Sequence, residues 1–318
     1  MNRRQFLQLS VAAIPALGLA GCSGSQPLRT GLHPWIGYES LYLAEEFGWL
    51  PTTVELLKGQ AASESMTGLL SGQLDAAALT LDEALRVFAG GVPLRVVAVT
   101  NVSVGADVLM AKPSITSLPG LRGRTIAAEL GGVSGIMLSA VLERAGLTID
   151  QVSVADLPAN RHLDAWQNGD IDASISYEPI ASMLREAGGT RLFDSSHLPD
   201  TIFDTLVVTE RAARANKAAV NDLVRAHFRG NLHMVQSMHD AVYRVATRQG
   251  VTPNAVRRSL ATVMLPDLAA NQRYLAHHGR IELVARRLAE ILVREGLMAE
   301  FPQYERLSDP SFLPRSLM

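Results

Sequence analysis

Two aromatic residues, Trp35 and Tyr38, stand close together in the segment His33-Pro34-Trp35-Ile36-Gly37-Tyr38, which follows a short apolar run. Flat rings can bury the faces of a small ligand, and a phenol hydroxyl adds a polar contact. The same rings could instead pack as a lid on a hydrophobic core. We predict that Trp35 and Tyr38 bind a ligand, and His33 beside them is a weaker candidate.

Acidic residues occupy corresponding places in two similar segments. Gly72-Gln73-Leu74-Asp75-Ala76 leads into an apolar run that ends before Asp82, and Gly169-Asp170-Ile171-Asp172-Ala173 leads into one that ends before Glu178. Each acid would lie where a strand ends and a helix begins, the edge at which open α/β sheets bind ligands. We predict both as pocket residues, although either could cap its helix, Glu178 directly before Pro179. A chance match between two common turns is the alternative to a true repeat.

A third candidate is Gly131-Gly132-Val133-Ser134-Gly135, which opens a predicted helix. Free amide donors and the positive helix end attract anions, and the Ser134 hydroxyl would add a contact. An ordinary turn with Ser134 as N-cap explains the same residues. From this loop we predict Gly131 and Ser134 as ligand-binding residues. Strand ends and crossovers add weaker candidates, which are Thr80, Ser103 and Asp107, and Asp204 is weaker still.

Enzyme motifs are missing from the sequence. Gly132-Val133-Ser134-Gly135-Ile136 lacks the glycine spacing of a nucleophile elbow, and there is neither a phosphate-binding loop nor a dinucleotide fingerprint. His277 and His278 are adjacent rather than one helical turn apart, and no His-Glu-x-x-His pair exists. We therefore expect a binding protein with no catalytic residue, no metal and no cofactor.

Short apolar strands alternate with amphipathic helices from Leu28 to about Thr209, a pattern that predicts an α/β fold. Beyond Glu210 only helical patterns remain, which suggests a tail that returns to cover an earlier lobe. The formal net charge is -2 and the sequence has no basic stripe. Nucleic-acid binding is therefore not expected, and we predict a monomer.

The N-terminus has the features of an export signal. Arg3-Arg4-Gln5-Phe6-Leu7 resembles a twin-arginine signal, and the apolar run from Leu9 to Leu19 is too short to span a bilayer. Leu19-Ala20-Gly21-Cys22 resembles a bacterial lipobox, and Cys22, the only cysteine, would carry the lipid. We predict a signal peptide at 1–21, a tether at 22–27 and a membrane-anchored lipoprotein outside the cytoplasm. The alternative is a cytoplasmic protein with an apolar N-terminus.

The chain also resembles the SsuA/THI5-like substrate-binding proteins for sulfonates, nitrate, taurine and the thiamine pyrimidine precursor. The segments that carry this resemblance, between about Leu28 and Val208, are His33 to Tyr38, Leu41 to Ala44, Ser71 to Ala76, Gly91 to Leu94, Gly105 to Asp107, Leu121 to Arg124, Gly146-Leu147, Gly169 to Ala173 and Tyr177 to Pro179. The resemblance implies a type II periplasmic-binding-protein fold, with two α/β lobes joined by crossover strands. It implies lobe 1 at 28–109 and 203–318, lobe 2 at 110–202, and a helical tail on lobe 1.

The resemblance further implies a cleft that closes on a small solute for delivery to an ABC permease and its ATPase. Asp82, Asp107 and Glu178 lie at matched positions, which supply no lysine or arginine. Because carboxylates buried beside a bare anion are unfavourable, we expect an amine-bearing sulfonate or an aminopyrimidine-like ligand. A sensor that presents its closed form to a membrane receptor is the alternative function.

Overall fold

The computed structural model describes residues 26–301 and 306–317. The predicted signal peptide and the lipidation site at Cys22 lie outside these residues and stay predictions. Within the described ranges, no helix has the length and apolar character that a membrane span requires.

The first sheet has a core of apolar strands from two separate parts of the chain. Its strands are β1 (Leu28–Leu32), β2 (Val54–Lys58), β3 (Ala76–Thr80), β4 (Leu94–Ser103), β10 (Phe203–Thr209) and β11 (Val263–Met264). They are ordered β11-β4-β10-β3-β1-β2, with β1 parallel to both neighbours and β10 antiparallel to β3 and β4. Both faces of β3 and β10 are buried, which explains why apolar residues in these strands follow one another instead of alternating with polar ones.

The second sheet contains the middle of the chain. Its strands are β5 (Val108–Ala111), β6 (Thr125–Ala128), β7 (Ser153–Asp156), β8 (Ala173–Ser176) and β9 (Thr190–Asp194). They are ordered β7-β6-β8-β5-β9, with β6 parallel to β7 and β8, and β5 antiparallel to β8 and β9. We call the first sheet with its helices lobe 1, and the second sheet with its helices lobe 2.

The chain crosses between the sheets twice, and the two crossings are bonded together. The Ser103 and Ser195 hydroxyls are 2.7 Å apart, and the Ser195 N–H donates to Asp107 O at 2.9 Å. Gly105 has a φ of +110°, which favours glycine, and its N–H donates to Ser195 Oγ at 2.8 Å. The predicted two-lobed α/β fold is therefore confirmed, with both connections forming one hinge region.

Helices cover both sheets and carry candidate residues at their starts. The helices of the α/β body are α1 (Glu39–Glu46), α2 (Ala62–Leu70) and α3 (Leu81–Ala89) in lobe 1, and α4 (Ser134–Ala145), α5 (His162–Asn168) and α6 (Ile180–Glu186) in lobe 2. α3 follows Thr80, whose N–H donates to Glu83 Oε2 at 2.9 Å, so Glu83 satisfies an amide that the helix cannot. α4 ends at Gly146 with a φ of +64°, a common glycine cap.

The C-terminal helices pack on lobe 1, as the sequence predicts. They are α7 (Glu210–Ala215), α8 (Lys217–Gln236), α9 (Met238–Gln249), α10 (Pro253–Leu260), α11 (Leu268–Tyr274) and α12 (Arg280–Arg294). α8 crosses α1 at Gly230, where an added Cβ would lie 1.9 Å from Ser40 O. Beside it, the Ser40 hydroxyl lies 2.7 Å from His227 Nδ1. This close crossing fixes α1, which directly follows the aromatic loop.

Candidate ligand-binding site

A buried acid on the central strand of lobe 1 is the centre of the candidate site. Asp204 on β10 is 2 % exposed and pairs across the sheet with Thr80 on β3 and Asn101 on β4. The Tyr38 hydroxyl donates to Asp204 Oδ1 at 2.6 Å. Asp204 Oδ2 is buried and has no hydrogen-bond partner among the described residues. Asp204 therefore keeps one carboxyl oxygen available to a ligand.

A second buried acid, Asp107, lies on the first crossing between the lobes. It is 3 % exposed, and its Oδ2 likewise has no partner within the described part of the chain. Its N–H donates to Ser103 Oγ at 3.4 Å, and that hydroxyl also meets Ser195. Ser103 thus helps to hold the hinge, and Asp107 is the crossover residue with a free oxygen.

More unsatisfied polar atoms surround these acids. The buried atoms without a partner among residues 26–301 and 306–317 that belong to this group are His33 Nδ1, Trp35 Nε1, Thr80 Oγ1, Asn101 Oδ1, Asp107 Oδ2, Ser176 Oγ and Asp204 Oδ2. We call this set the polar cluster. Each buried polar group without a partner destabilises a fold by about 1–3 kcal/mol, so such atoms are rarely grouped without a function. A polar ligand can satisfy them.

Burial controls the charge of this cluster. Burial, against the opposing effect of the Ser103 hydroxyl and with a smaller contribution from Asp82, raises the pKa of Asp107 to about 7. Burial also raises the pKa of Asp204 well above its usual range, and Asp107 adds to the effect while the Tyr38 hydrogen bond opposes it. Burial lowers the pKa of His33 to about 4, so this imidazole is neutral at physiological pH. The acids thus share one electrostatic environment that favours a cationic or hydrogen-donating group.

Aromatic rings from both lobes enclose the cluster. The Trp35 and Tyr177 rings meet edge to face with centroids 5.3 Å apart, and His33 meets Tyr38 in the same way at 5.3 Å. Tyr177 follows β8 in lobe 2, whereas the other rings belong to the loop after β1. At Gly37 an added Cβ would lie 1.8 Å from Asn101 Nδ2, so only glycine permits this approach. Of the two predicted aromatic residues, Trp35 therefore belongs to the polar cluster and Tyr38 is bonded to its member Asp204.

A cavity of about 260 Å³ opens between the lobes beside Tyr177. The residues that line it are Pro34, Glu39, Tyr42, Gln60, Ala159, Asn160, Tyr177, Pro179, Ile180, Arg248 and Gln249. Glu39 is buried there, paired with Arg248 and accepting a hydrogen bond from Gln249 Nε2 at 2.6 Å. A larger hollow of about 610 Å³ lies elsewhere, between α4 and the segment after α12. The smaller cavity is the relevant one because Tyr177, which lines it, contacts the ring of Trp35, a member of the polar cluster.

The two acids predicted from the repeat have protein partners. Glu178 Oε2 accepts the Ser182 N–H at 3.0 Å at the start of α6, and its Oε1 lies 3.4 Å from Arg185 Nη2. Asp82 lies 3.5 Å from Arg86 Nη2, one turn along α3. Both are buried near the cleft, but each carboxylate is already engaged. Acidic residues at helix starts commonly make such capping and pairing contacts, so the position of Asp82 and Glu178 explains them.

The predicted anion subsite at the start of α4 contacts lobe 1 directly. The Val133 N–H donates to Glu83 Oε1 at 3.2 Å. Arg86 donates to the carbonyl oxygens of Leu130 and Gly132, each at 2.7 Å. Burial and the neighbouring Asp82 raise the pKa of Glu83 to about 8. Ser134 is the first residue of α4 and is buried, whereas Gly131 is exposed.

One group of side chains outside the cleft has the donors of a metal site. Ligand atoms of His277, His278 and Glu282 lie within 4.8 Å of one another at the start of α12. Glu282 is buried and accepts the His278 N–H at 2.9 Å and the Ser308 hydroxyl at 3.3 Å. Its carboxylate thus acts as a helix-start cap, and the group is separate from the candidate site.

The sequence patterns did not single out Asn101, Tyr177, Glu83 or Arg86 as site residues, and they gave Asp204 the least weight among the candidates. A signal for Asp204 was present: Phe203-Asp204-Thr205-Leu206-Val207-Val208 places one acid inside a run that forms a wholly buried strand. A charged residue in such a strand is rare without a partner or a function. For Glu83 and Arg86 the sequence shows only an ordinary amphipathic helix.

The fold and cleft together define a two-lobed binding-protein architecture. The chain belongs to the NMT1-like family, whose sequence profile matches residues 22–246. It is 25% identical over 243 residues to a protein of Brucella abortus (strain 2308) that is named as a binding protein. The matched region covers 70% of this chain and 72% of that one. It is 26% identical over 146 residues to the taurine-binding periplasmic protein of Escherichia coli (strain K12), 46% of this chain and 45% of that one.

Solved structures show the same fold. The alkanesulfonate-binding protein SsuA from Xanthomonas axonopodis pv. citri, bound to MOPS, superposes with a TM-score of 0.73 at 18% identity, covering 89% of this chain and 96% of that one. The ligand-binding component of an ABC-type import system from Staphylococcus aureus, with zinc bound, gives 0.75 at 16% identity, covering 92% and 100%. The desulfurization enzyme DszB gives 0.67 at 17% identity, covering 91% and 97%. The fold is therefore shared by binding proteins and by at least one enzyme.

Proposed function

We propose that this chain is an extracytoplasmic solute-binding lipoprotein that delivers a small organic solute to an ABC importer. The solute carries a positive or hydrogen-donating nitrogen, as in an amine-bearing sulfonate or an aminopyrimidine. The observation that carries the proposal is the polar cluster, in which Asp107 and Asp204 each keep one buried carboxyl oxygen without a partner in the described chain. Both acids lie in an environment that penalises their charge until a cation or donor arrives.

The aromatic rings support the same ligand class. Trp35 and Tyr177 offer apolar surface beside the acids, and the Trp35 Nε1–H is a free donor within the described residues. A heterocycle with an amino group could place its donors on Asp204 and Asn101, its acceptor on Trp35 and its face on an aromatic ring. Directed polar atoms next to flat apolar walls are typical of small-molecule sites.

Ligand binding would favour closure of the lobes. Asp204 and Trp35 belong to lobe 1, Tyr177 and Ser176 to lobe 2, and Asp107 to a crossing between them. A solute that contacts all of these stabilises the state in which the lobes touch, and a permease can read that state. The paired arginines, the lipobox with Cys22 and the similarity to periplasmic binding proteins support export, anchoring and delivery.

We assign the cleft a binding role because its buried polar atoms, which have no partner among the described residues, offer contacts to a ligand. Its reactive-looking groups are carboxyls, phenols and a neutral imidazole, and the only cysteine of the chain is Cys22. The fold alone does not decide this, because DszB shares it. The proposal therefore rests on the cluster rather than on the fold.

Two measurements test the function. Native mass spectrometry of protein purified from its own host should show a bound small molecule that contains nitrogen. Calorimetry should then detect binding of taurine or of 4-amino-5-aminomethyl-2-methylpyrimidine, and much weaker binding of nitrate and ethanesulfonate. Tight nitrate or ethanesulfonate binding that does not respond to Asp204→Asn would reject the proposed ligand class.

A further inference from the structure

The start of helix α4 is the place in lobe 2 where an acidic ligand group would be expected, because its free amides and positive helix end attract anions. In this chain that place already holds an oxygen of the protein. Glu83 Oε1 accepts the Val133 N–H at 3.2 Å and lies 3.0 Å from the position of an added Cβ on Gly132. The carboxyl group reaches there from lobe 1, across the cleft.

Contacts on both sides hold the Glu83 carboxyl in place. Its other oxygen, Oε2, accepts the Thr80 N–H at 2.9 Å, so both oxygens are bonded to backbone amides, one in each lobe. Glu83 itself is 2 % exposed. Arg86, one turn further along α3, donates to Leu130 O and Gly132 O at 2.7 Å each and thereby anchors the loop that presents the Val133 amide.

Apolar packing borders the same junction. Ile136, in the first turn of α4, belongs to one buried cluster with Leu292 of α12 and Met298. An added Cβ on Gly135 would lie 2.9 Å from Leu297 Cδ1. Glu83 thus occupies the Val133 amide on the lobe 1 side, whereas Leu297 packs beside Gly135 at the edge of the hollow of about 610 Å³.

We infer that Glu83 is a specificity-determining residue: its carboxyl takes the position that a ligand's acid group would otherwise occupy at the start of α4. This inference deepens the proposed function, on which it rests, and narrows the solute to one without an acidic group at that end. Amino-heterocycles are then preferred over taurine-like zwitterions. The selection acts through a backbone donor, the Val133 N–H, that is already bonded to the protein.

The test is a gain of anion binding on removal of Glu83. Wild type, Glu83→Ala and Glu83→Gln are titrated with ethanesulfonate in a calorimeter. Glu83→Ala should bind at least ten-fold more tightly than wild type, which corresponds to about 1.4 kcal/mol. Glu83→Gln should stay close to wild type, because its amide oxygen still fills the site. Glu210→Ala is the matched control, since Glu210 also starts a helix of lobe 1 but pairs with Arg95 and Arg214.

Equal ethanesulfonate affinity in wild type and Glu83→Ala overturns the inference, as does an equal gain in Glu83→Gln. If circular dichroism shows that Glu83→Ala does not fold, Glu83→Ser is titrated in its place and judged by the same criterion. The outcome is separate from that of the proposed function. The proposed function would be rejected by a different result: nitrogen-bearing ligands that do not bind wild type, or that bind wild type and Asp204→Asn with equal affinity.

Discussion

The Tyr38 hydroxyl donates to the carboxylate of Asp204 at 2.6 Å across 166 positions of sequence. This bond joins the aromatic loop after β1 to the strand by which the chain returns to lobe 1. It satisfies one carboxyl oxygen and leaves the other buried without a partner among the described residues. A ligand donor placed there would complete the hydrogen bonds of Asp204.

We expect Asp204→Asn to weaken an ammonium ligand by on the order of 2–5 kcal/mol, because the buried cation loses its counter-charge. A neutral aminopyrimidine should lose less, since the asparagine carbonyl still accepts a hydrogen bond. Calorimetry with both ligand types measures the difference. The comparison variant is Glu178→Gln, whose carboxylate already accepts the Ser182 N–H and pairs with Arg185. If Glu178→Gln costs as much affinity as Asp204→Asn, the centre of the site has been misplaced.

The raised pKa of Asp107 predicts a pH-dependent stability. The folded value is about 7, against about 3.9 for an unfolded chain, so the folded state holds more protons between these values. Stability from this group is therefore full below about pH 4 and declines as pH rises towards 7, by at most about 1.4 kcal/mol per pH unit. Urea unfolding of wild type and Asp107→Asn from pH 4.5 to 8 checks this. Parallel pH profiles for the two proteins would contradict it.

Ring contact and hydrogen bonding at Trp35 can be separated by two substitutions. Trp35→Ala removes the wall that faces Tyr177 and should weaken charged and neutral ligands alike. Trp35→Phe keeps much of the apolar surface but removes the Nε1–H donor, so only ligands with an acceptor at that point should lose affinity. Titration of each variant with an alkylammonium and an aminopyrimidine makes the comparison. Unchanged binding in Trp35→Ala would show that the ring only covers the hydrophobic core and does not contact the ligand.

The close crossing of α8 and α1 predicts a strong effect at Gly230. A Cβ there would lie 1.9 Å from Ser40 O, which is backbone and cannot rotate away. We expect Gly230→Ala to lower the free energy of unfolding by about 1–3 kcal/mol through overpacking, despite the better helix propensity of alanine. Asn221→Ala on an exposed face of α8 should stay within about 0.5 kcal/mol. Urea denaturation that ranks the two variants equally would reject this account.

Export and anchoring can be tested at the N-terminus. Cys22→Ala should give an uncleaved or soluble protein, because no other cysteine can take the lipid. Replacement of Arg3 and Arg4 by lysines should reduce export if the twin-arginine signal is read. Mass spectrometry of membrane and soluble fractions measures both effects. A mature protein that begins elsewhere, or carries an unmodified Cys22, would refute the lipoprotein prediction.

Local elements were largely predictable. Apolar runs in the sequence predict strands at Leu28–Leu32 and Val152–Ala155, and the structure has strands at Leu28–Leu32 and Ser153–Asp156. The position of Pro179 predicts a helix that starts there, and the observed helix begins at Ile180 with Glu178 bonded to its first turn. These features depend on residues a few positions apart, so periodicity, proline and capping side chains are enough to find them.

The function of a helix start was not predictable in the same way. The glycine-rich loop before Ser134 looks in sequence like an open anion site, and nothing near it indicates an occupant. Its amide at Val133 is bonded to Glu83, 50 positions earlier and in the other lobe. A contact between the lobes therefore decides which backbone donor is free for a ligand. Local sequence patterns do not predict such a contact.

By itself, the sequence determined the α/β class, the helical tail, the aromatic loop and the presence of acids near strand ends, because burial and hydrogen-bond rules act on neighbouring residues. Tertiary structure decided which acids are free. Asp82 and Glu178 acquire partners one or two turns along their own helices, whereas Asp107 and Asp204 are brought together at the hinge by strands that are far apart in the chain. The physical reason is that a carboxyl group's partners and desolvation are set by everything packed around it, and most of that comes from distant sequence.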